Sequence, residues 1–157
     1  MTGDPLLDIA AFAAALPDSG ALLGLDPGTK TIGVAVSDRT RMVASGLETI
    51  RRSKFTADGA RLLEIAGETE AAGFVIGFPL NMDGSEGPRA QSVRAFSRNL
   101  ATLTDLPLLL WDERLTTAQA ERTLLEADAS RKRRAEVIDQ MAAGLILQAA
   151  LDRLRSM

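Results

Sequence analysis

The sequence has 157 residues and contains no cysteine, no histidine and no tyrosine. Its aromatic residues are five phenylalanines and one tryptophan. Without cysteine there are no disulfides, no thiolate nucleophile and no cysteine-based zinc site. Without histidine the usual general base and the commonest transition-metal ligand are missing. Without tyrosine there is no phenolic nucleophile. Any catalysis falls to Asp, Glu, Lys, Arg, Ser, Thr or backbone groups. Any metal must be held by oxygen, which means a hard cation such as Mg²⁺ or Mn²⁺. So few aromatics leave few platforms for stacking bases, and recognition of a nucleic-acid backbone is easier than reading of its bases. No apolar run approaches the roughly 18 residues of a membrane span. The apolar stretch 4–16 carries Asp4 and Asp8 and has no basic leader, so it does not read as a signal peptide. The expected location is the cytoplasm, with no membrane partner.

What is present describes one globular domain. The chain is 46% apolar and 25% charged, with a formal net charge of −3. That balance argues mildly against a general nucleic-acid binder but leaves room for basic patches. Arg51, Arg52 and Lys54 form one patch, and Arg131 to Arg134 another. Arg89, Arg94 and Arg98 fall on one predicted helix, where Arg94 and Arg98 share a face.

Residues 1–20 read as an N-terminal extension with a short helix over 6–16, ended by Pro17. Residues 21–157 read as a single domain. Three strands are expected at 21–26, 31–37 and 42–50. The short gaps between them predict an antiparallel meander. A helix follows over 56–72, stopped by Gly73. Next come a strand at 74–78, a helix from Ser85 or Gly87 to about Leu100, and a wholly apolar strand at 106–111. Thr116 and Gln119 fit a capping box that opens another helix. The basic run 131–134 interrupts the pattern, and a last helix is expected over 137–154. Helix crossovers make the two later strands parallel. The expected class is α/β: a mixed five-stranded sheet, three strands of meander plus two parallel strands, with helices on both faces.

Three carboxylates stand in suggestive places. Asp26 ends the first strand, Glu113 ends the last, and Asp139 opens the final helix. Sites on open α/β sheets gather beyond the carboxyl ends of the strands. Acidic groups brought together there need a neutralising cation, and two metals about 3.5–4 Å apart would serve phosphodiester hydrolysis. Each residue also has an ordinary reading. Asp26 beside Pro27-Gly28 is common turn chemistry. Glu113 beside Arg114 suits a surface ion pair. Asp139 in a first turn favours the helix dipole. Asn81-Met82-Asp83-Gly84 reads as a turn.

The motifs go further than the spacing. The segments Leu23-Gly24-Leu25-Asp26-Pro27-Gly28-Thr29-Lys30 with the following Thr31-Ile32-Gly33, Ile76-Gly77-Phe78-Pro79-Leu80-Asn81-Met82-Asp83-Gly84, and Asp112-Glu113-Arg114-Leu115-Thr116-Thr117-Ala118 stand in that order, followed by Asp139-Gln140-Met141-Ala142-Ala143. Together they resemble the YqgF family, described both as Holliday junction resolvases and as pre-16S rRNA nucleases. The resemblance covers about residues 21–154. It implies an RNase H-like fold and a divalent-metal nuclease with Asp26, Glu113 and Asp139 as catalytic metal ligands. It implies that Lys30, Asn81 and Arg114 face the substrate backbone. The implied role is trimming of the 5′ end of pre-16S rRNA, on the free precursor or the pre-ribosome.

Three other readings compete. A junction resolvase would act on branched DNA and should be dimeric, whereas an rRNA-trimming enzyme can be a monomer; the sequence leaves monomer or homodimer open. The Asp-x-Gly-Thr turn also resembles the phosphate loop of the actin and sugar-kinase group, but that architecture needs two lobes and this chain has length for one. A non-catalytic ribosome-assembly module would fit the acidic balance and the scarcity of aromatics.

Overall fold

The computed structural model describes residues 5–116 and 131–157, with side chains of the last stretch from 137 onward. The elements, in chain order, are β1 (Leu6–Leu7), α1 (Ile9–Ala15), β2 (Leu22–Pro27), β3 (Thr31–Ser37), β4 (Ala44–Arg51), α2 (Phe55–Thr69), β5 (Gly73–Phe78), α3 (Pro88–Ala101), β6 (Leu108–Asp112), a 3₁₀ turn (Glu113–Leu115) and α4 (Arg131–Arg155). The strands form one six-stranded sheet in the order β1-β6-β5-β2-β3-β4. The β2–β3 and β3–β4 pairs are antiparallel, which is the expected meander. The β1–β6, β6–β5 and β5–β2 pairs are parallel. The three longer parallel strands therefore bring their carboxyl ends to one edge.

The sheet is covered on both faces, and β2 and β5 are buried along their whole length. Buried strands of this kind read as unbroken apolar runs, as Leu22-Leu23-Gly24-Leu25 does. One core cluster joins the sheet to Leu62 and Ile65 of α2 and to Val93 and Phe96 of α3. The other joins it to Phe12 of α1 and to Ile146 and Leu147 of α4. Among the described residues, no helix is long and apolar enough to cross a membrane.

Three boundaries differ from the sequence reading. Residues 6–16 divide: Leu6 and Leu7 pair with Leu108 and Leu109 as a sixth strand, and the helix starts only after Asp8. The Asp8 carboxylate accepts from the Ala11 amide at 2.8 Å and caps α1. Helix α2 stops at Glu70, which takes the left-handed conformation at φ 52°, so Gly73 is not its stop but the first residue of β5. A side chain at Gly73 would press on the Pro107 carbonyl at 3.1 Å and on Phe12 at 3.2 Å. The basic run 131–134 does not interrupt the last helix; α4 runs unbroken through it. The capping box at Thr116 and Gln119 lies partly outside the described residues; Thr116 itself closes the 3₁₀ turn.

Candidate functional site

Asp26 sits inside β2, not in a turn, and is paired with Gly33 across the β2–β3 ladder. It keeps only 4% of its surface exposed. Carboxylates are rarely buried that deeply unless paired or ligating. Its direction follows from strand alternation. A Cβ at Gly24 would lie 2.7 Å from Leu147 Cβ and 3.0 Å from the Ala143 carbonyl, so Gly24 faces α4. Asp26 is two residues on and faces the same side.

The neighbours of Asp26 on both sides are glycines. Gly33 lies opposite it on β3. The parallel ladder with β5 reaches Leu25 and Ile76, so the next residues along the two strands are Asp26 and Gly77. Each glycine leaves room for another carboxylate residue. A Cβ at Gly33 would stand 2.1 Å from the Asp139 carbonyl and 3.2 Å from Asp139 Cβ. A Cβ at Gly77 would stand 2.8 Å from Glu113 Oε1 and 2.6 Å from Ile146 Cδ1. Asp26, Asp139 and Glu113 thus line one corner of the sheet, at the carboxyl end of β2 and beneath α4.

Asp139 is nine residues into α4 counting from Arg131, well past the first turn, so the helix-dipole reading does not apply. Thr31 Oγ1 donates to Asp139 Oδ2 at 2.5 Å and fixes the carboxylate's rotation. Glu113 follows β6 at the start of the 3₁₀ turn and is half-buried. It also walls a cleft of about 340 Å³ formed with Pro79 to Asn81 and Gly87 to Arg89.

The other expected site residues take different places. Lys30 is exposed on the β2–β3 turn, where its carbonyl accepts from the Arg52 amide at 2.8 Å. Asn81 lines the cleft and donates from Nδ2 to Ser85 Oγ at 3.0 Å, inside a turn closed by Gly84 at φ 89°. The Arg114 guanidinium is engaged within the protein. Its Nη2 is 2.7 Å from Asp112 Oδ2, its Nε donates to the same carboxylate at 3.0 Å, and its Nη1 donates to the Met82 carbonyl at 3.2 Å. The guanidinium holds the Asp112 carboxyl below the ordinary aspartate value. Arg114 therefore ties the 81–85 turn to the end of β6, next to Glu113. On α3, Arg94 bonds Glu86 at 2.9 Å and lies over the Phe78 ring.

The sequence reading passed over Thr31 and the glycines 24, 33 and 77. A signal for the glycines was available, since glycine inside a strand marks close backbone approach.

The donor set fits a hard divalent cation in kind: it is all carboxylate and hydroxyl oxygen, gathered at a buried corner. Among the described residues, no three acidic side chains close on a single point. An ion held here would take one or two of these carboxylates and fill its other positions with water and substrate phosphate.

A mixed sheet with a meander, parallel strands and helices on both faces, carrying acids at the strand ends and on the last helix, is the RNase H-like fold. Thermus thermophilus RuvC, solved in complex with Holliday junction substrate, shares it with a TM-score of 0.53 and 14% identity over 85% of this chain and 95% of that one. A second Thermus thermophilus RuvC structure gives 0.51 at 16% identity, over 86% of this chain and 96% of that one. The sequence narrows the class: the model of the RuvX (YqgF) family, described as Holliday junction resolvase, matches residues 20–153, and the chain belongs to that family. A relative from Paracoccus denitrificans is 67% identical over 94% of this chain and 94% of its own length. One from a Bradyrhizobium strain is 63% identical over 98% of this chain and 95% of its own. Both bear the name "Putative pre-16S rRNA nuclease".

Proposed function

We propose that this protein is a divalent-metal-dependent nuclease that hydrolyses phosphodiester bonds, acting in the cytoplasm on the 5′ end of pre-16S rRNA during ribosome maturation. The observation that carries the reading is the glycine-backed corner: Gly33 and Gly77 flank Asp26 and admit Asp139 and Glu113 beside it. In a chain without histidine or cysteine, clustered carboxylates are the remaining means of holding a catalytic ion. The names of the relatives supply the rRNA substrate.

Asp26, Asp139 and Glu113 would hold Mg²⁺ or Mn²⁺, with one or two of these carboxylates to each ion. A bound ion of this kind lowers the pKa of water and offsets charge on the reacting phosphate. The chain's own residues orient the site. Thr31 fixes Asp139, α4 shields Asp26 from bulk water, and Arg114 keeps the 81–85 turn beside Glu113. Lys30 and Asn81 stand where a substrate strand would pass, one on the exposed turn and one in the cleft.

The test digests a pre-16S 5′ fragment and a four-way DNA junction side by side, with Mg²⁺, Mn²⁺ or chelator. The wild type should cut the RNA only with metal, and Asp26→Asn should lower turnover by more than about 100-fold. Equal cleavage by Asp26→Asn would remove Asp26 from the mechanism. Cleavage of the junction alone would favour the resolvase reading that the family description carries. Binding of the RNA without cleavage under either metal would favour an assembly module. Metal binding has its own readout. The single tryptophan, Trp111, pairs with Gly77, whose Cβ position abuts Glu113. Its fluorescence should change on Mn²⁺ titration in the wild type and less in Glu113→Gln.

A further inference from the structure

We propose that Arg89 is the residue that grips the phosphodiester backbone of the substrate, at the meeting point of two clefts that lead past the acidic corner. The inference rests on the nuclease reading and adds a substrate-positioning residue to it. The first cleft ends on Glu113. A second, of about 210 Å³, has Pro27 to Thr29 on one side, immediately after Asp26, and the start of α3 on the other. Pro88 and Arg89 line both, so the two clefts adjoin at Arg89. One end of this track lies at Glu113 and the other beside the strand that carries Asp26.

Charge picks out the same residue. Among the described residues that line the two clefts, Arg89 is the one cation and Glu113 the one anion. A polyanion passing Glu113 meets repulsion there, and Arg89 is placed to offset it. Arg89 is an exposed residue, and its bond to the protein is long: Nη2 lies 3.5 Å from the Pro27 carbonyl, at the outer limit of a hydrogen bond. That contact keeps the guanidinium near the end of β2, and Arg89 lines both clefts. Other arginines nearby are committed: Arg114 to Asp112 at 2.7 Å, Arg94 to Glu86 at 2.9 Å, and Arg52 to the Gly28 carbonyl at 2.5 Å. A guanidinium offers a planar fork of donors that matches two phosphate oxygens. Pro88 begins α3 and sets the backbone from which Arg89 projects.

The experiment measures binding of a fluorescein-labelled single-stranded RNA by anisotropy across a salt series in chelator, then cleavage of the same RNA with Mg²⁺. For Arg89→Gln, Kd should rise about tenfold, the loss of one charge-assisted hydrogen bond. The slope of log K against log salt should fall by about 0.7, one phosphate contact on a single strand. KM should rise in step while kcat stays within about twofold of wild type, the mark of lost ground-state binding. Arg89→Lys should recover most of the affinity. Ser92→Glu, which puts a carboxylate one helical turn from Arg89 in the second cleft, should weaken binding as well, by pairing with the guanidinium and repelling the RNA backbone. Wild-type Kd and salt slope in both Arg89→Gln and Ser92→Glu, with cleavage intact, would overturn the role of Arg89 and leave the nuclease reading standing. Binding that depends on Arg89 in a protein that never cuts would do the reverse.

Discussion

The two sides of the acidic corner are held by different physics. On the β3 side, Asp139 is set by backbone: α4 lies so close to the sheet that the Asp139 carbonyl occupies the space a Cβ at Gly33 would need. On the β6 side, Glu113 is set by side chains: the ends of Ile146 and Glu113 fill the space at Gly77, and the Arg114 bonds to Asp112 and Met82 brace the chain next to it. Backbone contact cannot be relaxed without moving a helix, whereas side-chain ends can rotate. The first side should fail by losing the fold and the second by losing alignment.

The sharpest test of that contrast is a matched pair of substitutions. Gly33→Ala places a methyl group 2.1 Å from a backbone oxygen, so α4 must shift. We expect a loss of about 3 kcal/mol or more in a urea titration, with activity falling alongside stability. Gly77→Ala meets Ile146 Cδ1 at 2.6 Å and a Glu113 oxygen at 2.8 Å, both free ends of side chains. We expect about 1–2 kcal/mol here, with kcat falling further than that cost explains because Glu113 is turned aside. If Gly33→Ala melts with the wild type, α4 is not seated on β3 as described. If Gly77→Ala loses stability but keeps its kcat, Glu113 is not held in place by that contact.

The same contrast explains what the sequence disclosed. The sheet was legible because its signals are local. Thr31–Ser37 is rich in β-branched residues and appears as a strand over that same span, and the apolar runs around Leu23 and Val75 mark strands buried on both faces. Leu6 and Leu7 were hidden because two residues carry no periodicity, and their spacing to Ile9 imitates a helix. The Asp8 cap was the available clue. The end of α2 was hidden because glutamate seldom takes the left-handed conformation that Glu70 adopts. For the site, the motifs pointed to Asp26, Glu113 and Asp139 as residues, but not to how they approach. That depends on Gly33 and Gly77 lying under other elements, a tertiary fact. The bond from Arg114 to the Met82 carbonyl was hidden for the same reason: its partner is 32 residues away, and sequence adjacency gave no hint of it.

A smaller effect is expected at the Arg114 brace. Arg114→Gln loses the paired bonds to Asp112 and the bond to the Met82 carbonyl. These groups are partly exposed, so the stability cost should be under about 1 kcal/mol. Turnover should nonetheless fall several-fold, since the 81–85 turn and the start of the 3₁₀ segment are no longer tied together. Asp112→Asn should do much of the same, and the double variant should be little worse than either alone, because the two side chains act as one unit. Additive losses in that cycle would show that Arg114 acts elsewhere, including directly on substrate.

The smallest effect lies at the opposite end of the β3 strand, in the turn to β4, and it separates site from scaffold by pH. Asp38 accepts bonds from the Thr40 hydroxyl and from the Met42 and Val43 amides, the amides at 2.8 and 2.9 Å. The Thr40 bond first, and the Val43 amide next, lower its carboxyl to about 2 from an ordinary 3.8. A carboxyl depressed in the folded state stabilises it above the unfolded value, and that contribution is lost as pH falls through the folded one. The window therefore runs from about pH 4 down to pH 2. In that window the melting temperature of the wild type should fall more steeply than that of Asp38→Asn, whose amide does not titrate. Near neutral pH, cleavage by the two proteins should be equal, because this turn lies away from the acidic corner. Parallel melting curves in acid would mean that the Asp38 bonds do not persist in solution. A loss of cleavage at neutral pH would mean that this turn and the acidic corner are coupled along β3.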